Sequence, residues 1–125
     1  MATIADLIAK PTLPLGTLSL KLISCSHRSD DGRISMLFGS DEYDGLASIS
    51  VMPDQLNWVL PIWIRAFGDE VSIDMTTDFD SDFDMRESIV SSINKAKFEF
   101  FDIVVKESDA PVKEGQKPLF NGTFA

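Results

Sequence analysis

Between Asp69 and Glu87 the chain places Asp69, Glu70, Asp74, Asp78, Asp80, Asp82, Asp84 and Glu87 against a single base, Arg86. That is a local charge of −7 in a protein whose total is −9, so everything outside the segment sums to −2. Three chemistries suit such a run. On an extended strand, alternate residues share a face about 6.6 Å apart. Asp78, Asp80, Asp82 and Asp84 would then form one anionic row, with Phe79, Ser81, Phe83 and Met85 turned toward a core. Such a row imitates a nucleic-acid backbone in sign and regularity, and would attract a protein built to hold phosphates.

Metal binding is the second chemistry. Asp-x-Asp-x-Asp supplies the first, third and fifth ligands of a calcium loop, which also needs Gly at position six and Glu at position twelve. Counted from Asp78 these places hold Phe83 and Ile89; counted from Asp80 they hold Met85 and Ser91. No metal and no cofactor is therefore expected. Third, Asp82 or Asp84 can cap a following helix, whose positive end suits acids in its first turn. The remaining aspartates would then be a solvated loop.

Other candidates carry less. Cys25 and His27 stand two apart, but no third group orients them, and His27 reads as a solvated loop residue beside the Arg28–Gly32 turn. One Cys and one His are too few for a structural zinc site. Trp58 and Trp63 read as core rather than as a stacking platform. The single cysteine excludes an internal disulfide, and it is expected to be partly buried and slow to react. No phosphate-binding glycine loop occurs. A non-enzymatic protein is expected.

Around these residues the sequence predicts one domain, 1–125, with the composition of a soluble globular protein. No run is long enough to span a membrane, and nothing at the N-terminus reads as a signal peptide, so the expected setting is cytoplasmic. Residues 3–10 fit a short helix and 11–16 an extended connector. Residues 17–25, 34–38 and 46–51 alternate as strands of an antiparallel meander, joined by turns at Ser29–Arg33 and Gly39–Gly45. Met52-Pro53 opens a helix. Pro61 lacks an N–H and disfavours the α conformation at Leu60. The sequence thus predicts a helix ending there and a strand over 62–67, with one kinked helix over 54–67 as the alternative. A strand over 71–76, a helix over 84–96 and a strand over 98–105 complete the set. The last of these is apolar on both faces, so it is expected to be a central strand or to lie under a helix. The tail holds Asn121-Gly122 and two phenylalanines, Phe120 and Phe124, that read as exposed.

The expected fold is α+β: a mostly antiparallel sheet of about five to six strands with two to three short helices, in the order α-β-β-β-α-β-β-α-β. The expected function is a small acidic interaction protein, viral or bacterial, that meets a basic partner through its anionic surface. A nucleic-acid-mimicking inhibitor or an immunity-type protein fits, the partner itself being a nucleic-acid-binding protein. The alternative is a structural subunit such as a virion component, docking through Phe120, Phe124 and the N-terminal segment as a homo-oligomer. A single-stranded nucleic-acid binder is third. It is favoured by the β-rich layout and the aromatics and opposed by a pI near 4.4, which argues against direct nucleic-acid contact.

Overall fold

The computed structural model describes residues 10–108 and 119–125. The expected helix over 3–10 lies outside them except for Lys10. Five strands close into a barrel in the order β1-β2-β3-β5-β4, with β4 returning to β1. They are β1 (Gly16–His27), β2 (Ile34–Gly39), β3 (Leu46–Val51), β4 (Phe100–Lys106) and β5 (Leu119–Phe124). Every pairing is antiparallel except β3 with β5. Two helices, α1 (Leu56–Phe67) and α2 (Asp82–Asn94), lie between β3 and β4. The mixed α+β class and five strands agree with expectation; closure into a barrel was not foreseen.

β1 makes closure possible. Residues 16–21 pair with β4 and residues 21–27 with β2, so Lys21 stands opposite both Phe100 and Gly39. A register shift between Leu22 and Ser24 turns the strand from one partner to the other, as bulges do at barrel corners. Inside, Leu20, Leu22, Cys25, Met36, Phe38, Ala47, Ile49 and Ile103 fill the barrel. Phe101 and Phe124 meet each other, Phe38 and Phe67 of α1 edge to face, at centroid separations of 5.3 to 6.3 Å. Helix α1 thereby plugs one end of the barrel.

Several elements differ from expectation. Residues 62–67 continue α1 rather than forming a strand, and the helix passes through Pro61. Leu56, Trp63 and Phe67 recur at helical spacing and are all buried. Their burial outweighs the one hydrogen bond that Pro61 cannot make. Trp58 falls on the opposite face and is 58% exposed, so it is not core. Residues 71–76 are irregular, not a strand. The Asp74 side chain accepts from the backbone and hydroxyls of Thr76 and Thr77, and this local turn competes with strand pairing. Helix α2 starts two residues earlier than expected, capped by Ser81 rather than by an aspartate, with Asp84 N–H donating to Ser81 Oγ at 3.1 Å. β4 alternates inward and outward instead of burying both faces, and it leaves Phe98 and Phe100 at the surface.

The tail is a strand. Phe124 faces the core cluster and Phe120 packs against it, so neither is a free docking group. Gly122 marks no turn. A Cβ there would meet Ile103 Cγ2 at 3.1 Å and Ala47 Cβ at 3.4 Å, so glycine is what permits the close approach of β5.

Candidate functional site

The outer wall of β1, β2 and β3 is built from small hydroxyl side chains. Ser26, Ser35 and Ser50 stand in register across the three strands, and Ser24, Leu37 and Ser48 form the next row. Neither β2 nor β3 contains a charged residue. Beyond these rows the wall opens into a cleft of about 480 Å³ lined by Lys10, Lys21, Ile23, Tyr43, Leu46 and Phe98, among others. Lys10 is brought there by the connector, which docks on the β2–β3 turn through Leu13 N–H to Asp44 C=O and Asp44 N–H to Pro11 C=O, both 2.8 Å.

Phe98 is the unusual residue of this cleft. Its backbone is left-handed, φ 72°, and its ring is 64% exposed. A bulky side chain in that region costs roughly 1–3 kcal/mol. The conformation is imposed by hydrogen bonds on both sides. Phe98 N–H donates to Leu22 C=O (2.8 Å), Leu22 N–H to Glu99 C=O (3.0 Å), and Glu99 N–H to Ala96 C=O (3.1 Å). Lys21 Nζ stands 6.0 Å from the Phe98 ring centre and 2.8 Å from Asp41 Oδ1. That contact holds the Asp41 carboxyl below its ordinary value. Phe100, 61% exposed, follows two residues on, opposite Lys21. Lys95 and Lys97, both exposed, precede Phe98 in the chain. The arrangement offers two exposed aromatic side chains and the Lys21 ammonium next to the uncharged strands β2 and β3.

The acidic residues lie elsewhere and form no single row. Asp69 and Glu70 occupy a 3-10 turn after α1, Asp74 its threonine turn, and Asp78 and Asp80 irregular chain. Asp82 and Asp84 occupy the first turn of α2. Glu87 meets His27, Oε2 to Nε2 at 2.6 Å. All eight are exposed. Among the described residues no group of three or more His, Cys, Asp or Glu could hold a metal, and no helix is long and apolar enough to cross a membrane.

His27 is not a solvated loop residue. Its side chain is almost fully buried, with Phe83 of α2 at 5.0 Å between ring centres. Cys25 is more fully buried than expected, and loss of solvent pushes its thiol up to about 12, the reverse of an activated nucleophile.

Phe98, Phe100, Lys21 and Tyr43 were not singled out from the sequence. The available signal was Lys95-Ala-Lys97-Phe98-Glu-Phe100, a short basic stretch interleaved with aromatics. Glu99 within the stretch and Asp102 after it bring in acid and mask its basic character. The chain matches no protein-family profile and no curated protein.

Proposed function

We propose that the barrel is a non-catalytic binding module for single-stranded nucleic acid, held across the wall of β1–β3 with bases stacked on Phe98 and Phe100. The strand order, the parallel β3–β5 closure and the helical crossover between β3 and β4 are those of the oligonucleotide- and oligosaccharide-binding barrel. Such barrels bind on the face of their second and third strands. Topology alone does not assign a function. The observation that carries the proposal is Phe98, an exposed aromatic ring held in a costly conformation beside Lys21.

The proposal departs from the expectation drawn from net charge, because the acids are concentrated in residues 69–87 and β2 and β3 carry no charge. Asp41, Asp44 and Glu99 offset the lysines around the cleft, so stacking rather than phosphate attraction must supply most of the affinity. Stacking contributes roughly 1–3 kcal/mol per base.

Fluorescence anisotropy with a labelled oligothymidylate tests this. Binding in the micromolar range is expected at low salt. Two or three lysine contacts predict a slope of log affinity against log salt of about −2. Phe98→Ala and Phe100→Ala should each weaken binding roughly 5- to 150-fold. No binding at 100-fold excess protein over probe, or variants that bind like the parent, would sink the proposal.

A further inference from the structure

The helices carry a second surface, on a different part of the molecule from the barrel wall. Leu56, Leu60 and Ile64 of α1 face Met85 and Ile89 of α2 across a groove of about 420 Å³, with Met75 at its edge. A smaller hollow of about 190 Å³ shares Leu60, Met75, Met85 and Ile89 and extends the groove to Ile73, Phe79 and Asp74. Met75 is 72% exposed although it borders both cavities. Flexible methionines lining an open apolar groove suit side chains of varied shape.

The acidic segment supplies part of this groove. Met75 and Met85 belong to it, and Asp74 lines the hollow with its carboxylate fixed by Thr76 and Thr77. Among the described residues, only Glu87 of the eight acids makes an ion pair. Arg86, the segment's one base, is turned under the β1–β2 turn, where its guanidinium carbon lies 3.1 Å from the position a Gly32 Cβ would take. An apolar groove beside unpaired acids selects its occupant by charge. A second copy of this chain would bring −9 and its own acidic segment, and nucleic acid or an anionic lipid surface would be repelled.

We infer that the groove between α1 and α2 docks a basic amphipathic helix of a protein partner. Apolar side chains at i, i+3 and i+4 would enter between Leu60, Ile64, Met75, Met85 and Ile89, as in other helix-in-groove contacts. Lysines or arginines along its flanks would meet Asp74, Asp78, Asp80 and Asp82, giving fast, salt-sensitive encounter.

The probe is a synthetic 15-residue Leu/Lys peptide with helical amphipathic spacing, beside a scrambled peptide of the same composition. Methyl NMR of the full chain reports where each binds. Shifts at Met75, Met85, Ile64 and Ile89 are expected, with the ordered peptide at least tenfold tighter than the scrambled one. Met75→Glu should weaken binding at least fivefold even though it adds negative charge to a surface position. The Asp78→Asn, Asp80→Asn, Asp82→Asn triple variant should weaken it at low salt and make little difference at 0.5 M salt, where charges are screened. Equal binding of the two peptides would reduce the surface to bare charge and overturn the inference. Shifts confined to the barrel wall, or no shifts at millimolar peptide, would overturn it too. So would a dimer in sedimentation that Met75→Glu dissolves, since the groove would then belong to a second copy.

Discussion

Asn94, the last residue of α2, offers the sharpest test of how the helices are fastened to the barrel. Past Lys21, β1 no longer has β4 beside it, and its free edge would leave Cys25 unpaired on that side. The Asn94 side chain substitutes for a strand there: Cys25 N–H donates to Oδ1 at 2.9 Å, and Nδ2–H donates to the Cys25 carbonyl at 2.8 Å. Asn94→Ala removes both partners at once. An unsatisfied buried backbone group costs about 1–3 kcal/mol. Asn94 is only half-buried and water can reach part of the gap, so the lower half of that range applies. The pair should cost about 2–4 kcal/mol. Cys25 supplies a local readout, because its buried thiol carries essentially no thiolate at neutral pH until the strand edge opens. At a factor of ten per 1.4 kcal/mol, labelling by a thiol reagent should accelerate roughly 30- to 700-fold. Urea unfolding followed through Trp63 reports whether the loss is global. Asn94→Asp keeps one acceptor but sets a carboxylate against the Cys25 carbonyl, and should lose more than half of the effect. An Asn94→Ala protein that unfolds within about 0.5 kcal/mol of the parent and labels at the parent rate would refute the clamp.

Pro61→Ala returns an N–H to the interior of α1 and should stabilise the protein by about 1–3 kcal/mol, read as a higher urea midpoint; a lower midpoint would show that Pro61's ring contacts matter more. Gly122→Ala should destabilise by about 1–3 kcal/mol through overpacking against Ile103 and Ala47, and an unchanged melting temperature would contradict the close approach of β5. Asp74 has its carboxyl lowered from 3.8 to about 2, first by the Thr77 hydroxyl and then by Thr76. Its folded value lies below its unfolded one, so its contribution is complete above about pH 4 and is lost as pH falls through about 2. Asp74→Asn should therefore flatten the stability profile between those limits, and a profile identical to the parent's would count against the threonine turn.

The meander was legible because its strands alternate and its turns carry Asp-Gly and Gly-rich signals. β3 was placed over residues 46–51 and observed there. α1 was half legible. Pro61 is a local signal against helix, whereas the burial of Trp63, and of Phe67 against Phe101 and Phe124, is a tertiary effect that no local window contains. β5 was illegible for a related reason. Asn121-Gly122 normally reads as a turn, and the reason for Gly122 lies in Ile103 and Ala47, both distant in sequence. The acidic segment was plain from composition, yet its geometry was not, because the Asp74 turn and the Ser81 cap divide it into an irregular stretch and a helix start instead of one strand. The aromatic patch depended on a corner held by Leu22, a residue 76 positions before Phe98.

The parallel pairing of β3 with β5 has a consequence for how the chain folds. Leu46 finds its partner in Leu119, 73 positions later, whereas Phe38 and Ala47 of the β2–β3 pair stand nine apart. Closing the longer loop costs about 2 kcal/mol more in chain entropy. Until β5 arrives, the sheet β4-β1-β2-β3 is complete in hydrogen bonding except at its two outer strands, which expose unpaired edges. Those edges are templates for another chain. Docking of β5, the last step, is therefore the one most open to misassociation. Substitutions in β5, which docks after the transition state in this order of events, should hasten unfolding far more than they delay folding.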